Sequence, residues 1–195
     1  MPIAPELIEQ LLVARSILER VRTQTPSAPD RHTVATNVLL AHDAAELVLA
    51  AIANHLGARP ADRNKTFLMS YFDPIQKKRH PKTEVKGKRF FSQLNDARNG
   101  FKHNGNFPNT VQFARVGENT YEYVSNWCAK YAGLALDDLD YSALLHDEKL
   151  KLTYRQAKTL FTEKQYKTLL EQLAVALDDF VRRQRALPDI SIGFS

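Results

Sequence analysis

The segment from Arg31 to Leu56, RHTVATNVLLAHDAAELVLAAIANHL, constrains the fold more than any other. At helical periodicity it is apolar round most of its circumference, so only a central helix, covered on most sides, can bury it. Asp30 precedes it, a residue whose carboxylate accepts from the open N–H groups of a first turn. Gly57 follows it as a natural left-handed terminator. One side differs: at about 100° per residue, His42, Asp43, Glu46 and Asn54 fall with Ala50 and Ala53 on a polar, small-residue stripe. A polar stripe on a buried helix needs partners from a neighbour. The most strongly apolar stretch, Leu47 to Ala53, is far shorter than the ~18 residues that suggest a bilayer span, so no membrane association is expected.

The other segments read as helices around this one. Pro5 to about Arg22 carries Leu7, Leu11, Ala14, Leu18 and Val21 at the spacing of a buried stripe. Asn64 to about Lys78 predicts a third helix, kinked or split at Pro74. Gly87 to His103 predicts a fourth, neighbouring the second, with Phe90, Leu94, Ala97 and Phe101 as its core face. Asn109 caps a fifth that reaches about Leu136, irregular near Gly117, with Tyr121, Val124, Cys128, Tyr131 and Ala135 inward. Thr162-Glu-Lys-Gln165 is a capping-box pattern. It opens a last helix that turns Tyr166, Leu170, Leu173, Leu177 and Phe180 inward and ends before Pro188. No stretch alternates with period two. The expected fold is all-α, a single helical domain over residues 1–195 with about six main helices.

Several chemistries are excluded or not expected. Cys128 is the only cysteine, so an internal disulfide and a cysteine-cluster zinc site are impossible, and with no base beside it the thiol reads as structural. Gly100 and Gly105 are too sparse to cradle phosphates and no Walker pattern occurs, so no nucleotide cofactor is expected. His42 and Glu46 stand four residues apart, a metal-ligand spacing, but read as a satisfied polar cluster, and no metal is expected. The N-terminus MPIAPELIEQ has acid where a secretory signal needs base, which predicts a cytoplasmic location.

The net charge of +5 is unevenly placed. Lys77 to Arg89, KKRHPKTEVKGKR, holds seven Lys or Arg residues against one acid, whereas Asp137 to Asp147 holds four acids and no Lys or Arg. A basic run suits a polyanion such as RNA. Lys77, Lys78, Arg79, Lys86, Lys88, Arg89 and, further on, Lys102 are the candidate contacts; a solvated, proline-interrupted connector is the plainer reading.

The segment Leu94 to Pro108, LNDARNGFKHNGNFP, carries the chemistry. Asn95, Asn99 and His103 recur every four residues along one helix face, roughly opposite the expected core stripe, with Arg98 on the shoulder between. Arg98 and His103 lie about 140° apart on an ideal helix. They converge if the last turn loosens at Asn104-Gly105, or they act on one site from two chains. Histidine titrates near neutrality and can move a proton at a ribose 2′-OH or a leaving 5′-oxygen. Arginine's fork holds a phosphate and stabilises the charge that builds on it. The plainer readings are an exposed histidine near a helix C-terminus and a structural ion pair of Arg98 with Glu46 or Asp43.

The run RNGFKHNGNFP resembles the HEPN superfamily signature: Arg followed by a polar residue, then His after four to six residues, near the end of a helix in an all-helical bundle. The LAHDAAELVLAAIANHLG helix resembles the acid-bearing helix that precedes it in such proteins, and the likeness covers residues of about 30–136. The part from Asp137 on, a helical extension to about residue 187, is placed in no family. The resemblance implies a homodimer whose motif helices flank a shared cleft. It also implies metal-independent RNA cleavage, often in toxins or antiviral defence, with a neutralising or effector protein as a further partner. Other members have lost catalysis and serve as nucleotide- or protein-binding modules. By resemblance Arg98 is the phosphate clamp, Asn99 its polar companion and His103 the acid or base; Glu46 or Asp43 is the acid that orients them.

Overall fold

The periodic segments fold as helices, and no strand occurs among the described residues. The structure is a computed structural model and describes residues 4–62, 67–79, 84–145 and 147–185. In chain order the helices are α1 (Pro5–Gln24), α2 (Arg31–Leu56), α3 (Phe72–Arg79), α4 (Lys88–Asn104), the single turn α5 (Thr110–Phe113), α6 (Val116–Trp127), α7 (Glu148–Thr162) and α8 (Tyr166–Arg185). The chain divides into two compact units, Met1–Asp140 and Tyr141–Ser195.

The first unit is built on α2. One Asp30 oxygen accepts from the backbone N–H groups of His32 (2.7 Å) and Thr33 (3.0 Å), two of the donors a first turn leaves open. At the other end Gly57 sits at φ +61°, and Ala58 N–H returns to Ala53 C=O at 2.7 Å. A side chain at that φ is strained, which is why glycine stops the helix there. By length and composition α2 could cross a bilayer, but 61% of its apolar window is buried inside the protein, as befits a core helix. It packs against α1, α3, α4, α5 and α6. Val48 and Ile52 are fully buried, and Leu47 is half-buried. The α1 stripe Leu7, Leu11, Ala14, Leu18 and Val21 is buried as expected.

Four local expectations are corrected. Among the described residues 67–79, the third segment is one 3₁₀ turn (Leu68–Tyr71) and then α3, with Pro74 in the first turn of α3. There its missing N–H costs no helical bond, so it starts the helix instead of kinking it; Asn64 lies outside the described residues. In α4 the buried side chains are Phe91 and Leu94, while Phe90, Ala97 and Phe101 are half-buried. The core axis is turned by roughly 60° from the expected stripe, because Phe91 stacks among Phe72, Trp127 and Tyr123. The fifth segment breaks at Ala114 and Arg115 between α5 and α6, passes into a π-helical turn (Cys128–Ala132), and stops at left-handed Gly133. Ala135 therefore lies beyond it and is exposed. Gly117 is where α6 crosses α1 closely: a Cβ there would lie 2.8 Å from Val21 Cγ1 and 3.2 Å from the Arg22 backbone nitrogen.

The fourth correction falls in the second unit. The extension holds two helices, α7 and α8, packed as a hairpin and tied by Lys149 Nζ to Asp179 Oδ2 at 2.7 Å. Tyr166, Leu170, Leu173, Leu177 and Phe180 are exposed where burial was expected. Leu173, Leu177 and Phe180 border α7 across a groove, so the neighbouring helix covers this stripe only in part.

Candidate functional site

The turned axis of α4 brings the polar residues near its middle against the polar stripe of α2. His42 is almost completely buried. Its Nδ1 lies 3.2 Å from Asp43 Oδ1 and 3.7 Å from Glu46 Oε2, and its Nε2 lies 3.2 Å from Asn95 Oδ1. Burial, and then the charge of Arg98, push the imidazole pKa below its ordinary range. The ring is accordingly neutral at pH 7, with one N–H. That proton is placed best on Nδ1, donating to Asp43, with Nε2 accepting from the Asn95 amide turned nitrogen-first. The polar stripe of α2 thus meets a partner on α4, as a buried imidazole requires.

Arg98 lies on the same flank as Phe91 and Leu94, seven residues after the first. Its side chain is 21% exposed, with Nε 3.5 Å from Asp43 Oδ1, and Nη1 donates to Asn99 Oδ1 at 3.3 Å. Nε is buried and makes no hydrogen bond. Of the two acids singled out in the sequence, Asp43 stands beside Arg98 and Glu46 beside His42. His42, Asp43 and Glu46 also present atoms within 4.8 Å of one another, close enough for a cation. The guanidinium beside them already supplies the positive charge that such a cluster attracts, which weighs against a metal there.

His103 is exposed, on the last turn of α4. The helix stays regular to Asn104 and closes at Gly105, φ +69°, where the Gly105 N–H returns to Phe101 C=O at 3.0 Å. The last turn does not loosen, so Arg98 and His103 remain about 140° apart on one chain. Arg98 and Asn99 are joined by a hydrogen bond; His103 is not joined to them.

The basic segment is only partly a loop. Lys77, Lys78 and Arg79 are exposed on the last turn of α3, Lys86 is exposed in the turn before α4, and Arg89 is exposed on the first turn of α4. Lys88 is tied to Asp73 at 2.7 Å, and Lys102 is exposed on α4. Residues 80–83 lie outside the described residues. Lys78 and Arg79 line an open cleft of about 870 Å³ together with His55 from the end of α2 and Lys130 from the π-helical turn. All four belong to last turns, and there the charges of Lys78, Arg79 and Lys130 offset the helix dipoles. Lys130 lies far from the basic run in sequence, so only the fold reveals its membership.

A second group went unread in the sequence. Phe107, in the loop after α4, is 39% exposed. Arg31 lies over its ring at 4.7 Å from the centroid, His32 meets it edge-on at 5.0 Å, and Phe101 lies at 5.2 Å. This pins the loop that follows His103 to the start of α2. The aromatic in NGNFPN, next to the buried Pro108, is the signal that could have found it.

The cysteine is inert: Cys128 is fully buried, and burial pushes its thiol up to about 12. Comparison of the chain with family models, with curated proteins and with solved structures finds no match in any of the three.

Proposed function

We propose that this chain is a HEPN-like, metal-independent endoribonuclease, or an effector derived from one, working as a two-fold homodimer. The observation that carries the reading is the end of α4: Arg98 is seated on Asp43 and Asn99, while His103, five residues on, is exposed. A phosphate clamp needs a placed fork, and the ion pair with Asp43 and the Asn99 hydrogen bond place it while leaving donors for a phosphate. A proton carrier needs access to solvent and substrate. Since one chain points the two residues apart, two copies about a two-fold axis are what bring Arg98 of one to His103 of the other.

In this reading His103 takes the proton of a ribose 2′-OH, and the freed oxygen attacks the adjacent phosphorus. Arg98 holds the non-bridging oxygens as charge builds on them. The bond to the 5′-oxygen breaks, and that oxygen leaves with a proton supplied by an imidazolium. The products are a 2′,3′-cyclic phosphate and a 5′-hydroxyl. Lys77, Lys78, Arg79, Lys86, Arg89 and Lys102, with His55 and Lys130, supply affinity for the backbone. Arg31 over Phe107 offers a planar surface to an unstacked base.

One observation favours a second reading, a catalytically silent nucleotide- or protein-binding module: Arg98 beside Asp43 is also what a structural ion pair looks like. Incubating the purified chain with total RNA and EDTA, beside His103→Ala, separates the two. Cleavage by the wild type alone, leaving cyclic phosphate ends, supports the enzyme. Intact RNA in both samples selects the module.

A further inference from the structure

We infer that the α7–α8 hairpin is a self-association element, and that one stripe of α8 packs against the same stripe of a second copy of this chain. In the second unit the only buried side chains among the described residues are Ser142 and Ala157. Helices of 15 and 20 residues that bury so little have no core of their own, and isolated helices of this length are marginal in water.

The open stripe has the form of a coiled-coil seam. Tyr166, Leu170, Leu173, Leu177 and Phe180 recur at alternating steps of four and three residues, the heptad spacing that keeps one face toward a partner helix. Their exposure runs from 37% at Phe180 to 66% at Leu170. The flanking positions are Leu169, Ala174, Ala176 and Val181, so from Leu169 to Val181 no charge borders the seam; Glu171, Asp178 and Asp179 lie on the other side. An apolar groove of about 300 Å³ between the two helices, walled by Leu150 and Tyr154 on one side and Leu173 and Phe180 on the other, gives the partner's side chains a place to insert.

The occupant follows from what else the chain offers. Among the described residues of the first unit, the large exposed apolar side chains, Val13, Phe67, Phe107 and Val111, fall on separate elements and form no matching stripe. A bilayer surface fits poorly, since the four bases of α8 (Lys167, Arg182, Arg183 and Arg185) are nearly matched by its three acids, whereas surface-bound helices have a strongly Lys- and Arg-rich polar face. The stripe is complementary to itself. Covering its open area removes roughly 500 Å² of apolar surface per copy, about 1,000 Å² for the pair, the lower edge of a stable specific interface.

Leu173 is the middle of the five, so it meets its own counterpart whether the two copies run parallel or antiparallel. The test is oxidative crosslinking of the full chain carrying Leu173→Cys, with Thr168→Cys on the exposed outer side of α8 as the control; buried Cys128 does not compete. The same crosslinking is run with Leu170→Asp/Leu177→Asp added to Leu173→Cys. Rapid disulfide-linked dimer from Leu173→Cys, strongly slowed by the added aspartates with the first unit still helical, is the expected result. Crosslinking no faster than in Thr168→Cys, or not slowed by the aspartates, overturns the inference, whether or not the chains also meet through α4. Neither readout depends on RNA cleavage, so it stands or falls apart from the proposed activity.

Discussion

Replacing His103 by alanine separates chemistry from folding, because the structure gives the two effects very different sizes. His103 is exposed and makes no hydrogen bond or ion pair with any described residue. Its loss from the last turn of α4 costs at most the favourable placing of a cation near a helix C-terminus, about 0.3–1 kcal/mol. For a chain of this length that lowers Tm by about 2–4 °C or less. If His103 moves the proton at the 2′-oxygen, its removal lowers cleavage by ~10²–10⁴-fold, equivalent to about 3–5 kcal/mol of barrier. The assay is cleavage of a labelled RNA in EDTA, with end-group analysis, beside thermal melts of both proteins. A folded, inactive variant beside an active wild type is the expected outcome. Equal cleavage by both proteins, or a melting temperature lowered by ten degrees or more, would refute the reasoning.

Arg98→Lys restores little of the activity lost in Arg98→Ala, since an ammonium keeps the charge but not the fork; recovery to near wild-type rates would show that charge alone suffices. His42, held neutral by burial and by Arg98, makes stability fall as pH drops below about 6.5, where the unfolded chain takes up a proton that the folded chain refuses. Urea unfolding at pH 7.5 and 5.5 measures this, and His42→Gln should flatten the difference; an equal pH effect in that variant would mean other groups carry it. Neutralising Lys77, Lys78, Arg79 and Lys130 together should weaken RNA binding and flatten its salt dependence by several counterions, whereas Lys88, already tied to Asp73, contributes less. Gly117→Ala should destabilise by about 1–3 kcal/mol through overpacking, because its new methyl meets Val21 and the backbone of Arg22; denaturant unfolding with an unchanged midpoint would contradict the close crossing.

The ends of α2 were legible because their signals are local: an aspartate and a glycine each act on the turn they belong to. The face of α4 was not, because Phe90, Phe91, Leu94, Ala97 and Phe101 surround most of the helix. Which of them goes inward depends on Phe72 and Trp127, brought there by other segments. The same turn decides the site. Asn95 and Arg98, read as facing away from the core or standing on its shoulder, are the residues that reach α2. EKLKLTYRQAK is too rich in charge to show an apolar face by itself, so α7 became visible only beside α8. The apolar stripe of α8 was plain in the sequence and was read as inward, but such a stripe shows only that a cover is needed and does not say which chain provides it.

The seating of Arg98 against α2 also has a consequence for motion. A helix packed on five neighbours opens only when the whole unit opens, so the amides around Asp43 should be among the slowest to exchange with deuterium. His103 rides on the final turn of α4, beside the exposed Gly105 stop, where fraying makes exchange fast. Five residues apart, the two halves of the motif therefore rest on backbone of different persistence: the arginine in the middle of α4 against a helix that opens only with the unit, the histidine on a turn that opens many times over within that lifetime.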